Sequence, residues 1–375
     1  MVVAVAGLLA VSVVETAAGT GFGGFAVAAC GALAGAVLLP MTTQLGLLAG
    51  SRLFGLRVRH VVLGAMRRVR SWQLGRATLT LRALPVVLAS EIGPWRRPVV
   101  LRCWLAGLVS AAAGLALVVV AWLSAGGSFG RGFVVAVTPL MLHKLRPKRA
   151  PMATSTGWLL FGLPRMPEAA RAEFRAGPSA AQAREALQRG ALDEAEDLVE
   201  GLESEHPGLD TTLSCRVSLM EARGEHAHAV ALLLHHLSSA ELAPREMSYT
   251  LAGLAGLGFS AVEAEQVPAA DLLPTARKAL QDAVALGFPE FELSGARGQL
   301  ALLDEDADSA VRLAASGAEH GTSPLSRADD LATLARAHMA RHDNAAARHA
   351  LARAEELAPW WPRVRQTRNH LSALD

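Results

Sequence analysis

Side chains that ligate metals or transfer protons are scarce where this chain is most apolar. Residues 1–163 hold two histidines, His60 and His143, and two acids, Glu15 and Glu91. They supply no credible ligand set for a catalytic metal, and no Ser/His/Asp or Cys/His arrangement stands beside them. All four read as interfacial side chains, with Glu15 at the outer edge of its apolar segment, where solvation is cheap. Only three cysteines occur, Cys30, Cys103 and Cys215. Their separation excludes a metal or redox pattern, and they read as inert thiols of a reducing compartment. Aromatics make up 5% of the chain, with Tyr249 the single tyrosine. The glycines at 19–24 follow no soluble strand, so they read as close-packing residues of a span boundary and not as a phosphate loop.

Charge divides the chain in two. Residues 1–150 carry 16 Lys/Arg against two acids, a net +14, and residues 151–375 carry 20 against 32, a net −12. The basic residues border apolar runs, which points to anionic lipid and to topology, and away from nucleic acid. Residues 2–14, 21–41, 103–124 and 132–143 are the apolar runs, read as about four spans. Residues 1–20 have no basic leading region, which argues against a cleaved signal. The segment 52–102 holds eleven arginines, and Lys144–Arg149 holds four more cations. Both are expected on the cytoplasmic side of the cell membrane, with the C-terminal domain cytoplasmic too.

Residues 42–55 read Thr-Thr-Gln-Leu-Gly-Leu-Leu-Ala-Gly-Ser-Arg-Leu-Phe-Gly. This stretch resembles the zinc-binding helix of site-2 proteases, intramembrane metalloproteases in which two histidines at i and i+4 share a zinc ion beside a catalytic glutamate. The resemblance keeps Leu45, Gly46, Ala49, Arg52, Leu53, Phe54 and Gly55. It places Thr43 and Leu47 at the histidine positions and Gln44 at the glutamate position. A leucine has no lone pair to donate, a hydroxyl is a poor ligand beside imidazole, and an amide takes no proton near neutral pH. The resemblance also implies a small inserted β-sheet after Gly55, around a Leu63-Gly64 turn and a strand at Ala77–Pro85 that alternates in polarity. Ala106-Gly107 would open the next span, and Thr156 would stand in place of the third ligand, an aspartate. The domain so defined covers 1–163.

Residues 164–178 hold Pro164, Pro167 and Pro178 and read as a linker. From 179 onward the chain is rich in Ala and Leu at helical spacing. Similar segments start at Gly190, Gly224, Glu305 and His342, with Ala195, Ala229, Ala310 and Ala347 as recurring small residues. A further copy is suggested at Ala276–Gly287. A period near 34 residues resembles tetratricopeptide repeats, paired helices stacked into a solenoid with a concave face. The aromatic positions of that repeat are mostly missing. His226, His228, His235 and His236 cluster, and His338 and His342 have i, i+4 ligand spacing but no third ligand. They read as surface residues, and Trp360 and Trp361 read as a cap on the stack.

The expected fold is therefore mainly α: a polytopic membrane helical domain with a small β-sheet, then a tetratricopeptide-like solenoid over 179–375. The expected function is that of a membrane pseudoprotease acting as a scaffold. It would have no catalytic residues, metal or cofactor, and would bind a protein partner through the repeats and possibly a transmembrane helix in the membrane half. An active intramembrane zinc protease with unfamiliar ligands is the rival expectation, and a plain membrane anchor for the repeats is a third.

Overall fold

The computed structural model describes residues 11–19, 21–74, 77–150, 153–321 and 323–373. It is mainly helical and divides into two compact units, Met1–Ala181 and Gln182–Asp375.

In the first unit, residues 11–17 are helical, and most of the expected 2–14 span lies outside the described residues. Helix α1 follows at Phe22–Leu53. Its 32 residues extend about 48 Å at 1.5 Å per residue. That exceeds a hydrocarbon core of about 30 Å, and residues 42–53 continue the same helix as the apolar run before them. Helix α2 spans Val99–Leu123 and α3 spans Ser128–Leu145. Among the described residues, α1 and α2 are the two helices long and apolar enough to cross a membrane. The expected run at 132–143 lies within α3, which carries Arg131 and Lys144 and is not one of them.

Two pairs of glycines on α1 explain how three helices pack so closely. A Cβ on Gly31 would stand 2.1 Å from the Phe129 carbonyl oxygen, and one on Gly35 would meet Val137 and Phe133, both on α3. Gly46 and Gly50 face α2 instead, against Ser110, Ala113 and Ala106. Glycine spacing of four residues thus serves two different neighbours along one helix, since small residues let backbones approach.

Strands β1, Arg57–Leu74, and β2, Ala77–Gly93, form an antiparallel hairpin folded back on itself. Val61 pairs with both Ser90 and Leu79, and Thr80 pairs with both Val62 and Ser71. The hairpin therefore folds into four short strand segments, with residues 57–63 lying between 78–81 and 88–93. The fold-over occurs at Gly64, where φ is +109° and a Cβ would meet the carbonyl oxygens of Leu84 and Arg82; only glycine fits there without strain. The expected strand at 77–85 is part of β2. Two further strands of two residues each, β3 and β4, follow at Arg149–Ala150 and Ala153–Thr154.

The stretch 164–178 is not an extended connection. A 3-10 turn covers Leu163–Arg165, and helix α4 runs Glu168–Arg189 with Pro178 inside it. Pro167 precedes the first turn, where a missing N–H costs nothing, and Ala, Glu and Arg residues carry the helix onward.

The second unit is built of helices: α5 Leu192–Glu205, α6 Asp210–Arg223, α7 His226–Ser239, α8 Pro244–Glu263 and α9 Ala269–Ala285. Then come α10 Ser294–Leu303, α11 Ala307–His320, α12 Pro324–Ala340, α13 Asn344–Leu357 and α14 Pro362–Ser372. The four similar segments occupy one structural position. Gly190, Gly224, Glu305 and His342 all have positive φ, between 59° and 79°. After each, the next backbone N–H bonds five residues back, as in Asp343 N to His338 O at 2.9 Å and Glu225 N to Met220 O at 2.8 Å. This closes a helix with a left-handed residue. Glu265 and Gly287 do the same in the middle of the unit, so the suggested copy at Ala276–Gly287 ends as the others begin. Ala195, Ala229, Ala310 and Ala347 are fully buried, where a larger side chain would hold neighbouring helices apart.

Candidate functional site

Of the four positions singled out by the resemblance, Thr43 and Thr156 are brought together and Gln44 and Leu47 turn to other neighbours. Thr43 and Gln44 lie on α1 with Leu47 one turn later. Thr43 is 1% exposed and Thr156 is 8% exposed. Ser110 on α2 joins them: its hydroxyl donates to the Thr43 carbonyl at 2.7 Å and lies 3.3 Å from Thr156 Oγ1. Thr43 Oγ1 donates to the Pro40 carbonyl and accepts from Lys144 Nζ at 2.9 Å. Gln44 Oε1 accepts from Ser90 Oγ at 2.9 Å, linking α1 to the sheet. Leu47 packs against the apolar cluster around Leu56, Cys103 and Leu163.

These groups do not fit a zinc ion. The cluster at Thr43 offers hydroxyls and one ammonium, and Gln44 and Leu47 turn an amide and an alkyl chain to other neighbours. A divalent cation wants thiolate, imidazole or carboxylate donors, and an adjacent ammonium repels it. Two polar groups of this cluster, Ser110 and Lys144, carried no signal in the sequence, because only the helix register brings them to Thr43.

The remaining ionisable residues of this unit are elsewhere. His60 Nε2 lies 2.8 Å from Thr80 Oγ1 within the sheet, and Glu91 is an exposed neighbour of Arg59. His143 is exposed in the last turn of α3. Glu15 departs from the solvated edge expected of it. It is 2% exposed, and both its oxygens are bonded to Arg131, at 2.8 and 2.9 Å, with Ser128 adding a third bond. A carboxylate removed from water requires such a partner.

In the second unit, two adjoining cavities of about 480 and 490 Å³ share Ser218, Glu221, Gly295, Ala296, Asp329 and Asp330 in their walls. They form one groove. Glu221 comes from the C-terminal half of α6, and the Asp pair from the first half of α12. Asp330 lies over two glycines: a Cβ on Gly295 would stand 1.8 Å from its Oδ1, and one on Gly317 would stand 2.6 Å from its Oδ2. Beside the groove is a buried charge network. Arg363 Nη2 bonds Glu263 at 2.7 Å, its Nη1 bonds Asp329 at 2.5 Å, and Arg336 pairs with Glu263 as well. Trp361 Nε1 donates to Asp329 at 2.8 Å.

Asp329 is thus well partnered, while Glu221 and Asp330 have no hydrogen bond or ion pair among the described residues. Burial pushes the Glu221 carboxyl up to about 7, with the Asp329 charge acting in the same direction and Arg363 opposing it. Asp330 rises to about 7 for the same reasons. Burial works against ionisation of Glu263 too, but Arg363 and Arg336 outweigh it and hold that carboxyl below its ordinary range.

The histidines do not assemble into a site. His342 lies beyond the end of α12 at φ 59°, so it shares no helix face with His338. His226 is 2% exposed with both ring nitrogens unpartnered, whereas His228 and His235 face solvent. Among the described residues, no three of His, Cys, Asp and Glu are placed to hold a metal ion. Trp361 is buried against Asp329, and Trp360 packs on Gly190. The groove acids went unread in the sequence. Their one local sign is the Asp329-Asp330 doublet within the apolar pattern of Leu325, Ala328, Leu331 and Ala332.

Comparison of this chain with family models, characterised proteins and solved structures finds no match.

Proposed function

We propose that this chain is a catalytically inert, site-2-protease-like membrane protein whose tetratricopeptide-like helical unit captures a protein partner. The observation that carries the reading is the bond from Lys144 Nζ to Thr43 Oγ1. An ammonium and three hydroxyls stand where the resemblance puts two metal ligands. The long α1 with its two neighbours, and the sheet tied to Gln44, support the same architecture. So do the buried Glu15–Arg131 pair and two helices of spanning length, since ion pairs within apolar bundles are costly unless fully partnered.

The basic segments at 52–102 and 144–149 set the orientation we assign: a multi-pass cell-membrane protein with the helical unit in the cytoplasm. The membrane unit holds the partner at the bilayer and could grip a transmembrane helix without cutting it. The test is elemental analysis of the purified chain in detergent after zinc loading. Near-zero zinc is expected. One zinc per chain, lost when His60 or His143 is replaced, would overturn the reading in favour of an intramembrane zinc protease.

A further inference from the structure

The groove of the helical unit is short of positive charge. Three carboxylates line it, Glu221, Asp329 and Asp330, and Glu263 stands beside it in the charge network, though among the described residues no three are placed to hold a metal ion. Two guanidiniums answer them, and both are committed. Arg336 is bonded to Glu263 and to Thr367 Oγ1, and Arg363 to Glu263 and Asp329. Arg184 and His320 border one cavity, but neither pairs with Glu221 or Asp330. The other charged groups on the rim are acids: Glu292 in one cavity, and Asp210 and Glu246 in the other. Between these acids the walls are mixed: Leu187, Leu325 and Trp361 stand among Ser323 and Ser326 in one cavity, and Leu233, Tyr249 and Leu257 among Thr250 and Ser260 in the other.

Apolar stretches of wall beside two unanswered carboxylates suit a long side chain that ends in a cation. A lysine or arginine lays its methylene stem along apolar surface and presents its charge at the tip. A charged donor to a carboxylate forms the stronger class of hydrogen bond. A bare metal ion is the poorer match, because no three ligating groups converge among the described residues. A nucleic acid or acidic peptide would meet like charge.

We propose that this groove binds a partner segment carrying Lys or Arg among apolar residues, with Glu221 and Asp330 receiving the cationic group. The proposal rests on the reading of the helical unit as a protein-binding module, and it names the chemistry of the partner. It also gives Gly295 and Gly317 a role: a side chain at either would occupy the space of the Asp330 carboxylate.

The test is selection of a random 12-residue peptide library, displayed on phage, on the full chain in nanodiscs of neutral lipid. Peptides enriched at least twofold in Lys and Arg over the input are expected. Their affinity should fall at least tenfold for the E221Q/D330N variant and change less than twofold for E200Q/E356Q. The latter removes the same charge from exposed positions on α5 and α13. Circular dichroism shows whether each variant retains its helices, and G295A, which leaves both carboxylates in the chain but crowds Asp330, should weaken the same peptides. Recovery of peptides without basic enrichment, or with unchanged affinity for E221Q/D330N, overturns the cationic assignment and leaves protein binding standing. Recovery of no peptide above background overturns both.

Discussion

Replacing Glu221 by Gln should stabilise the protein at alkaline pH and do little in acid. The carboxyl of Glu221 rises from 4.5 to about 7 in the folded chain. Its protonated form is the one the fold favours. The stabilisation from holding that proton is complete below about pH 4.5, shrinks as the pH rises, and is gone above about 7. At pH 8.5 the wild type therefore carries a half-buried, unpartnered anion beside Asp329, and the glutamine variant does not. A tenfold change in proton affinity corresponds to about 1.4 kcal/mol. The difference at pH 8.5 has a ceiling of about 3 kcal/mol and should disappear near pH 4.5. Hydrogen exchange of the α6 and α12 amides in the detergent-solubilised chain, at pH 5 and pH 8.5, reads this locally. A gap between variant and wild type that is equal at the two pH values would refute the reasoning, as would a variant less protected at pH 8.5.

Two further predictions concern backbone and packing. Gly132→Ala puts a methyl group 1.8 Å from the Ala28 carbonyl oxygen, and forcing α1 and α3 apart should cost about 2 kcal/mol or more. Gly126→Ala meets nothing within 4 Å and should be neutral; thermal unfolding in detergent compares the two. His342→Gly should stabilise the second unit by about 0.5–1 kcal/mol, because His342 is exposed at φ 59° and a side chain in the left-handed region is strained. Urea titration of the full chain followed by tryptophan fluorescence, with Trp360 and Trp361 in the second unit as reporters, is the measurement.

The parts legible in the sequence are those set by local rules. Ala195, Ala229, Ala310 and Ala347 announced the helix stacking because only a small side chain fits where two helices touch. Gly190 and Gly224 signal a left-handed residue by type, whereas Glu305 and His342 show it only through the similarity of their segments to those two. Alternation at 77–85 revealed a strand but not that β2 lies against both ends of β1, because register depends on the bend at Gly64. Thr43 and Thr156 were singled out from the motif. Ser110 and Lys144 became visible only with α2 and α3 in place. Glu15 was misread because hydropathy counts it as a cost and cannot show that Arg131 would answer it.

Glu263 and Glu221 differ in what answers them. The first is surrounded by Arg336, Arg363 and Gln299, and a fully connected network of that kind holds helices α8, α12 and α14 in register. Glu221 and Asp330 share the charge of Asp329 as an adverse neighbour and receive only the distant benefit of Arg363. Nothing in the packing forbids a lysine or arginine opposite them, since the groove has room. An unanswered pair therefore costs stability that a single substitution could recover. Such costs persist where a bound partner offsets them. A proton and a partner's cation then compete for the same oxygens, so the stability gained by E221Q and the affinity it loses must arise from one group. A variant at Glu221 that gained stability while leaving peptide affinity intact would separate the two and assign the groove acids to folding alone.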